Sequence, residues 1–169
     1  ADGSGIDETG VKWIINPYDE YAVEEALKLK EANGGTPTVT VLTVGPKRRV
    51  VEALRTAMAM GADDGIAIDC EQEADAYLTA QALSKAIEKE GTFDLIMTGK
   101  LAIDDNAASV SQMVAEMLKI PHTTVVSKFS WKAGEVEVER ETDGGSREIV
   151  VMRGPSVVAC NKGLNSPRY

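Results

Sequence analysis

The residues best placed to do chemistry lie in one turn, Gly99-Lys100-Leu101-Ala102-Ile103-Asp104-Asp105-Asn106-Ala107-Ala108-Ser109-Val110-Ser111-Gln112. An apolar run, Asp94 to Thr98, leads straight into it. Val110, Met113, Val114, Met117 and Leu118 follow at helical spacing. A strand that enters a helix through small residues leaves backbone amides open at the positive end of that helix, where a phosphate can approach. Ala107, Ala108, Ser109 and Ser111 are those small residues. Asp104 and Asp105 could bind ribose hydroxyls or cap the helix; adjacent in a loop, they read by default as a solvated pair rather than an acid/base dyad. Two further turns compare with this one. Asn16-Pro17-Tyr18-Asp19 sets an N-cap residue before a proline at the first helical position. Gly45-Pro46-Lys47 places a glycine where backbone could approach a ligand. Each of the three also reads as an ordinary turn or helix start.

Reaction machinery is missing from the sequence. It contains no GxGxxG, no P-loop, no nucleophile elbow and no Cys/His cluster. His122 is the single histidine, which leaves a catalytic triad or a His-rich metal site almost nothing to work with. Cys70 and Cys160 lie far apart and read as two buried, reduced thiols, which suits the cytoplasm or a mitochondrial matrix. The net charge of −9, with scattered Lys and Arg, argues against nucleic acid as a partner. No apolar run approaches the roughly 18 residues that a membrane-spanning helix needs. The polar, Gly-rich stretch Ala1 to Gly10 lacks the order of a signal peptide. A nucleotide held without reaction machinery suggests structural, regulatory or electron-carrying use rather than an enzyme.

The elements that must position these turns alternate along the chain. Helical stripes are predicted behind Asn16-Pro17, from Val50 to Met58, from about Asp75 to Glu90, and from Val110 to Leu118. Extended segments are predicted at Thr38–Val44, Gly65–Asp69, Asp94–Thr98 and Ser156–Cys160. Between Pro121 and Met152 the period changes to two, with Gly134 and Asp143-Gly144-Gly145 at the turns, as in a hairpin or meander. The expectation is an α/β fold: an open, mostly parallel sheet with helices on both faces, plus an antiparallel hairpin at one edge or against a partner. With 169 residues, 43% of them apolar, and no linker, the whole of 1–169 is expected to be one nucleotide-binding domain.

Five collinear blocks then become informative as words: NPYDEYAVEEALKLKE (Asn16–Glu31), LRTAMAMGAD (Leu54–Asp63), DLIMTGKLAIDDN (Asp94–Asn106), ERETDGG (Glu139–Gly145) and LNSPRY (Leu164–Tyr169). Together they resemble the beta subunit of electron transfer flavoproteins, across nearly the whole chain. The resemblance implies an adenine-nucleotide α-hydrolase-like layout and a heterodimer with an alpha subunit that carries most of the contacts to FAD. It implies AMP in this subunit, or a second FAD in the bifurcating branch. The nucleotide segments would correspond to Asn16–Asp19, Val44-Gly45 and Gly99–Val110. Electrons would come from flavin dehydrogenases, such as acyl-CoA dehydrogenases of fatty acid oxidation, and pass to a quinone oxidoreductase.

The family's Lys-Gln-Ala-Ile-Asp-Asp is Lys100-Leu101-Ala102-Ile103-Asp104-Asp105 here, and its Thr-Gly-Gln is Val110-Ser111-Gln112. The bifurcating branch tends to carry Gly-Asp-Thr at Asp105-Asn106-Ala107, which favours AMP. The resemblance further implies an apolar strand ahead of Ala1, lying centrally in the sheet, and a recognition loop and arm beyond Tyr169. The sequence is therefore expected to be a fragment with unpaired sheet edges. Two other readings predict signatures that are not seen: an α-hydrolase or ligase domain would carry SGGxDS, and a stress-protein-like homodimer a Gly-rich phosphate motif near its C-terminus.

Overall fold

The computed structural model describes residues 9–72, 74–132 and 134–168. Most of the polar N-terminal stretch, and Tyr169 of the LNSPRY block, lie outside the described residues. Helix α1 (Pro17–Ala32) begins with proline at its first turn, carries Asp19 and Glu20 there and Lys30 in its last turn, and so complements the helix dipole at both ends. Strand β1 (Thr40–Gly45), helix α2 (Lys47–Met60) and strand β2 (Asp64–Asp69) follow. Helix α3 (Ala76–Glu90) is capped by Asp75, whose carboxylate accepts the Leu78 N–H at 2.7 Å. Strand β3 (Leu95–Gly99) feeds helix α4 (Val110–Leu118), which ends on Lys119 in the left-handed conformation shortly before Pro121. Strands β4 (His122–Lys132), β5 (Glu135–Glu141), β6 (Arg147–Arg153) and β7 (Ser156–Cys160) complete the order, with a short 3-10 turn at Asp143–Gly145.

The strands form a parallel pair, β1-β2, and a five-stranded sheet in the order β3-β7-β4-β5-β6. Strand β7 is buried along its whole length because β3 and β4 flank it, both parallel to it. The antiparallel part is a three-stranded meander, β4-β5-β6, built onto that parallel core. Among the described residues β1 pairs only with β2, and β3 only with β7, so each keeps one unpaired edge.

Two apolar clusters hold the layers. Ala22 of α1 packs with Val126, Val136, Val138, Met152, Val158 and Cys160 of the five-stranded sheet, and Met97 of β3 joins them. Ile15, Val23 and Leu27 pack with Ala57 and Met60 of α2. Successive strand residues point to opposite faces. Met97 faces α1, while its neighbour Thr98 bonds to Ser111 of α4, so the two helices cover opposite faces of β3.

Strand β4 carries an irregularity between Thr123 and Val126, where two residues oppose one of β7 and Val125 takes φ +60°. A β-branched residue rarely adopts that conformation. The bulge turns β4 away from β7 beyond Val126 and toward β5.

Candidate functional site

The end of β3 and the start of α1 meet more closely than any side chain would allow. A Cβ added at Gly99 would lie 2.7 Å from Tyr18 Cβ, 2.8 Å from the Tyr18 carbonyl carbon and 2.9 Å from the Asp19 nitrogen. Glycine is needed here for space, since two of those atoms are backbone. The Gly99 N–H donates to Asp19 Oδ1 at 2.6 Å. The neighbouring Lys100 N–H donates to the Cys160 carbonyl at 3.0 Å, which ties the ends of β3 and β7 together. The Lys100 ammonium stands 5.1 Å from the centre of the Tyr18 ring.

Asn16 occupies the N-cap position of α1 but does not cap it with its side chain. Its carbonyl accepts the Asp19 and Glu20 N–H groups, whereas its amide reaches across to the long turn. Asn16 Nδ2 donates to Asp19 Oδ2 and to the Leu101 carbonyl, both at 2.9 Å, and Oδ1 accepts the Ile103 N–H at 3.3 Å. The expected side-chain cap therefore gives way to a link between two segments 85 residues apart in sequence. Leu101 engages this link through its backbone carbonyl.

The two aspartates of the turn bond locally. Asp104 Oδ1 accepts the Asp105 N–H at 2.9 Å, and Asp105 Oδ1 accepts the Ala107 N–H at 2.9 Å. Neither caps α4, whose N-cap position is Ser109, so the capping alternative for them does not hold. Their short side chains favour such local bonds over the helix end. Asn106 donates its N–H to Ala102 at 3.0 Å. Asn106 and Ala108 both take left-handed backbone, at φ +56° and +50°. Past them, the N–H groups of Ala108, Ser109, Val110 and Ser111 meet no acceptor among the described residues. Unpaired amides at a helix N-terminus are the kind of donor an anion can meet.

The Ser111 hydroxyl bonds to Thr98 Oγ1 at 2.7 Å and to the Gly99 carbonyl at 3.4 Å. This buried contact fixes the first turn of α4 to the end of β3. The Gln112 amide donates to the Ala108 carbonyl at 2.7 Å and so braces the left-handed residue. Between the two turns lies a depression of about 120 Å³, bounded by Ile14, Asn16, Pro17, Ile103 and Asp104. It is smaller than the roughly 300 Å³ at which whole-ligand pockets begin.

The third turn stands apart. Gly45, at φ +149°, bonds to β2 through its carbonyl, which accepts the Cys70 N–H at 3.1 Å. The Lys47 N–H at the start of α2 donates to Asp69 at 3.1 Å. The turn connects toward α1 through Trp13, over whose ring the Arg49 guanidinium lies at 4.1 Å. The structure thus joins Asn16–Asp19 directly to Gly99–Ile103 by hydrogen bonds, with Val44-Gly45 attached to the neighbouring strand pair.

Burial raises the Asp19 carboxyl above its ordinary range, against the opposing hydrogen bonds from Asn16 and Gly99. Burial also pushes the Cys160 thiol up, with the Glu25 and Asp19 charges adding to the effect, so this cysteine is an unreactive neutral thiol. Cys70 is only half-buried, contrary to the expectation of two buried thiols, and contacts the Gln72 carbonyl at 3.5 Å. His122 is exposed. Among the described residues no three His, Cys, Asp or Glu side chains cluster to hold a metal, and no helix is long and apolar enough to cross a membrane.

The strut from Asp19 and the Thr98–Ser111 pair have no sign in the local sequence. Asp19 follows a proline at a helix start, where an acidic residue is ordinary and signals nothing about a partner 80 residues away. The Arg168 guanidinium likewise bonds Glu24 at 2.8 and 2.9 Å and Glu31 at 2.5 Å, folding the C-terminal segment back on α1.

The electron transfer flavoprotein domain family matches residues 4–169. The chain is 42% identical over 167 residues to an electron transfer flavoprotein subunit beta of Bacillus subtilis, covering 97% of this chain and 63% of that protein. A subunit beta of Mus musculus is 40% identical over 172 residues, covering 99% of this chain and 66% of its own length. One from Methylophilus methylotrophus is 34% identical over 172 residues, with 99% and 64% covered. The chain thus spans just under two thirds of the length of these relatives. With a family match over nearly all of its residues, this chain belongs to the electron transfer flavoprotein domain family.

Proposed function

We propose that residues 1–169 form one nucleotide-binding domain of an electron transfer flavoprotein beta subunit, with AMP held structurally. The observation that carries this reading is the row of open N–H groups from Ala108 to Ser111 above the N-terminus of α4, lined by small side chains. Those donors suit the AMP phosphate, which a few amides and the helix end can neutralise despite the acidic net charge. The adenosine would lie toward Asn16–Asp19 and Val44-Gly45, with Asp104 or Asp105 near the ribose. Asp105-Asn106-Ala107 in place of Gly-Asp-Thr supports AMP over a second FAD.

The alpha subunit would hold most of the FAD, which supplies the redox chemistry when bound. This chain's own part is to fix the nucleotide and shape the subunit. Electrons would arrive from flavin dehydrogenases and leave to a quinone oxidoreductase, in the cytoplasm of a bacterium or in a mitochondrial matrix. The relatives' names support the electron-carrying role. So does the chemistry of the site: Asp19 is engaged by two donors and Cys160 is buried and neutral, so neither serves as an acid, base or nucleophile.

The test is nucleotide release from the purified full-length heterodimer. One FAD and one AMP per complex are expected. Two FAD and no AMP would refute the AMP assignment, and a colourless, stable homodimer would refute the electron-carrying role. Ala108→Leu should strip AMP from the complex, and unchanged occupancy would overturn the phosphate turn.

A further inference from the structure

We propose that Asn33-Gly34 is a deamidation site, and that its acidic product unties the last turn of α1 from the strand pair β1-β2. Ring closure needs a side-chain amide followed by a residue that offers no steric hindrance, and glycine is that residue. Of the five asparagines, at 16, 33, 106, 161 and 165, Asn33 alone precedes a glycine. Asn16 precedes a proline, whose nitrogen carries no hydrogen to lose. Asn33, Gly34 and Gly35 are all exposed, and nothing lies within 4 Å of the Cβ position at Gly34. Asp64 and Asp143 also precede glycines, but a carboxyl that must expel water closes the same ring more slowly than an amide that expels ammonia.

The step balances with water alone. The Gly34 nitrogen loses its proton and attacks Asn33 Cγ; the N–Cγ bond forms, the Cγ–Nδ2 bond breaks, and ammonia leaves. Water then opens the cyclic imide at either carbonyl. One product is aspartate, and the other is a β-linked isoaspartate whose main chain is longer by a methylene. The fold brakes this reaction, because both reacting groups are held. The Gly34 N–H donates to the Glu31 carbonyl at 3.1 Å, and Asn33 Nδ2 donates to the Leu29 carbonyl at 2.8 Å. Gly35 completes the cap by donating to the Lys30 carbonyl at 2.9 Å. Helix ends open at small free-energy cost, so the reaction proceeds from the frayed turn.

The product cannot rebuild that cap. A carboxylate at position 33 has no hydrogen to give Leu29, and it adds negative charge at the negative end of the helix. In isoaspartate the extra methylene also displaces the Gly34 and Gly35 donors from their carbonyls. The turn so loosened is the one that joins α1 to the strand pair. Lys30 pairs with Asp63 Oδ1, and Asp63 Oδ2 accepts the Val39 N–H at 2.8 Å, just ahead of β1. Val39 and Val41 pack against the cluster that holds Val23 and Leu27 of the same helix.

The experiment incubates the full-length protein, assembled with its alpha subunit, in neutral and mildly alkaline buffer and maps its peptides by mass spectrometry. Asn33 should convert before the other asparagines, in proportion to hydroxide, and faster in urea-unfolded chain than in folded protein. Asn33→Asp stands in for the aspartate product. Hydrogen–deuterium exchange of this variant should show protection lost at 33–35 and weakened at 39–41, and its Tm should fall by about 2–4 °C for the bond removed. Asn33→Gln keeps an amide but closes no such ring, so it should neither convert nor drift in Tm during incubation. Asn33 intact after other asparagines have converted would overturn the site. Equal rates in folded and unfolded chain would overturn the brake. Exchange at 33–41 unchanged in both Asn33→Asp and the aged protein would overturn the untying.

Discussion

Replacing Gly99 with alanine probes the contact on which the site is built. The added methyl group would sit 2.7 to 2.9 Å from three atoms of Tyr18 and Asp19, and two of these are backbone atoms that no rotamer change can move. Helix α1 must therefore shift, which typically costs about 1–3 kcal/mol as overpacking. The shift also stretches the 2.6 Å bond from the Gly99 N–H to the Asp19 carboxylate. Bonds to charged groups contribute about 1.5–3 kcal/mol. With that bond weakened rather than lost, the sum is about 2–4 kcal/mol, a fall in Tm of roughly 5–15 °C for a chain of this size. Gly65→Ala is the matched control. Its added methyl group would meet nothing closer than the Met58 sulfur at 3.5 Å, and its stability should stay within about 0.5 kcal/mol of the parent. Urea unfolding of the two variants, followed by circular dichroism, makes the comparison. Gly99→Ala unfolding at the same midpoint as Gly65→Ala would refute the claim that α1 is pressed onto the end of β3.

Further outcomes follow from other contacts. Arg168→Ala should destabilise by about 1–3 kcal/mol, since it strands the buried Glu24 while Arg168 itself is a third exposed, which tempers the loss. The hydrogen bond from Arg168 holds the Glu24 carboxyl below its ordinary value, so this stability is present above about pH 4.5 and fades as pH falls through the lowered value; acid titration of unfolding should be shallower in Arg168→Ala. Asp19 runs the other way. Burial raises its carboxyl, so the chain loses stability as pH climbs from 3.8 through the raised value, and Asp19→Asn should flatten that decline in urea midpoints measured between about pH 4 and 7. Ser111→Ala should cost about 1–2 kcal/mol by removing the partner of the Thr98 hydroxyl, seen in thermal melts. Ala108→Gly should raise stability by up to about 1 kcal/mol in thermal melts, because glycine takes the φ of +50° without the penalty that alanine bears.

Local pattern carried much of the fold. The stripe from Val110 to Leu118 has one period and becomes α4, and the apolar run Ser156–Cys160 becomes the buried strand β7. The change of period after Pro121 locates the meander. The bulge at Val125 was not legible, because a valine with φ of +60° contradicts its own propensity and is held there by strands on either side. Nor was the division of the strands into a pair and a sheet of five, since alternation of residue type does not record which edges meet.

The turn from Gly99 to Ser111 shows the same boundary at the level of the site. Its place between an apolar strand and an amphipathic helix, its small residues and its family words are all properties of contiguous sequence. The sequence by itself therefore determined the α/β pattern, the membership of the family and the stretch where an anion could meet a helix end. Tertiary structure alone decided that Asn16 abandons its cap to hold Leu101 and Ile103, that Asp19 braces Gly99, and that Asp104 and Asp105 bond within their own loop. Each of these side chains had a satisfactory local alternative, and the choice between local and distant partners was made by the packing of α1 against β3.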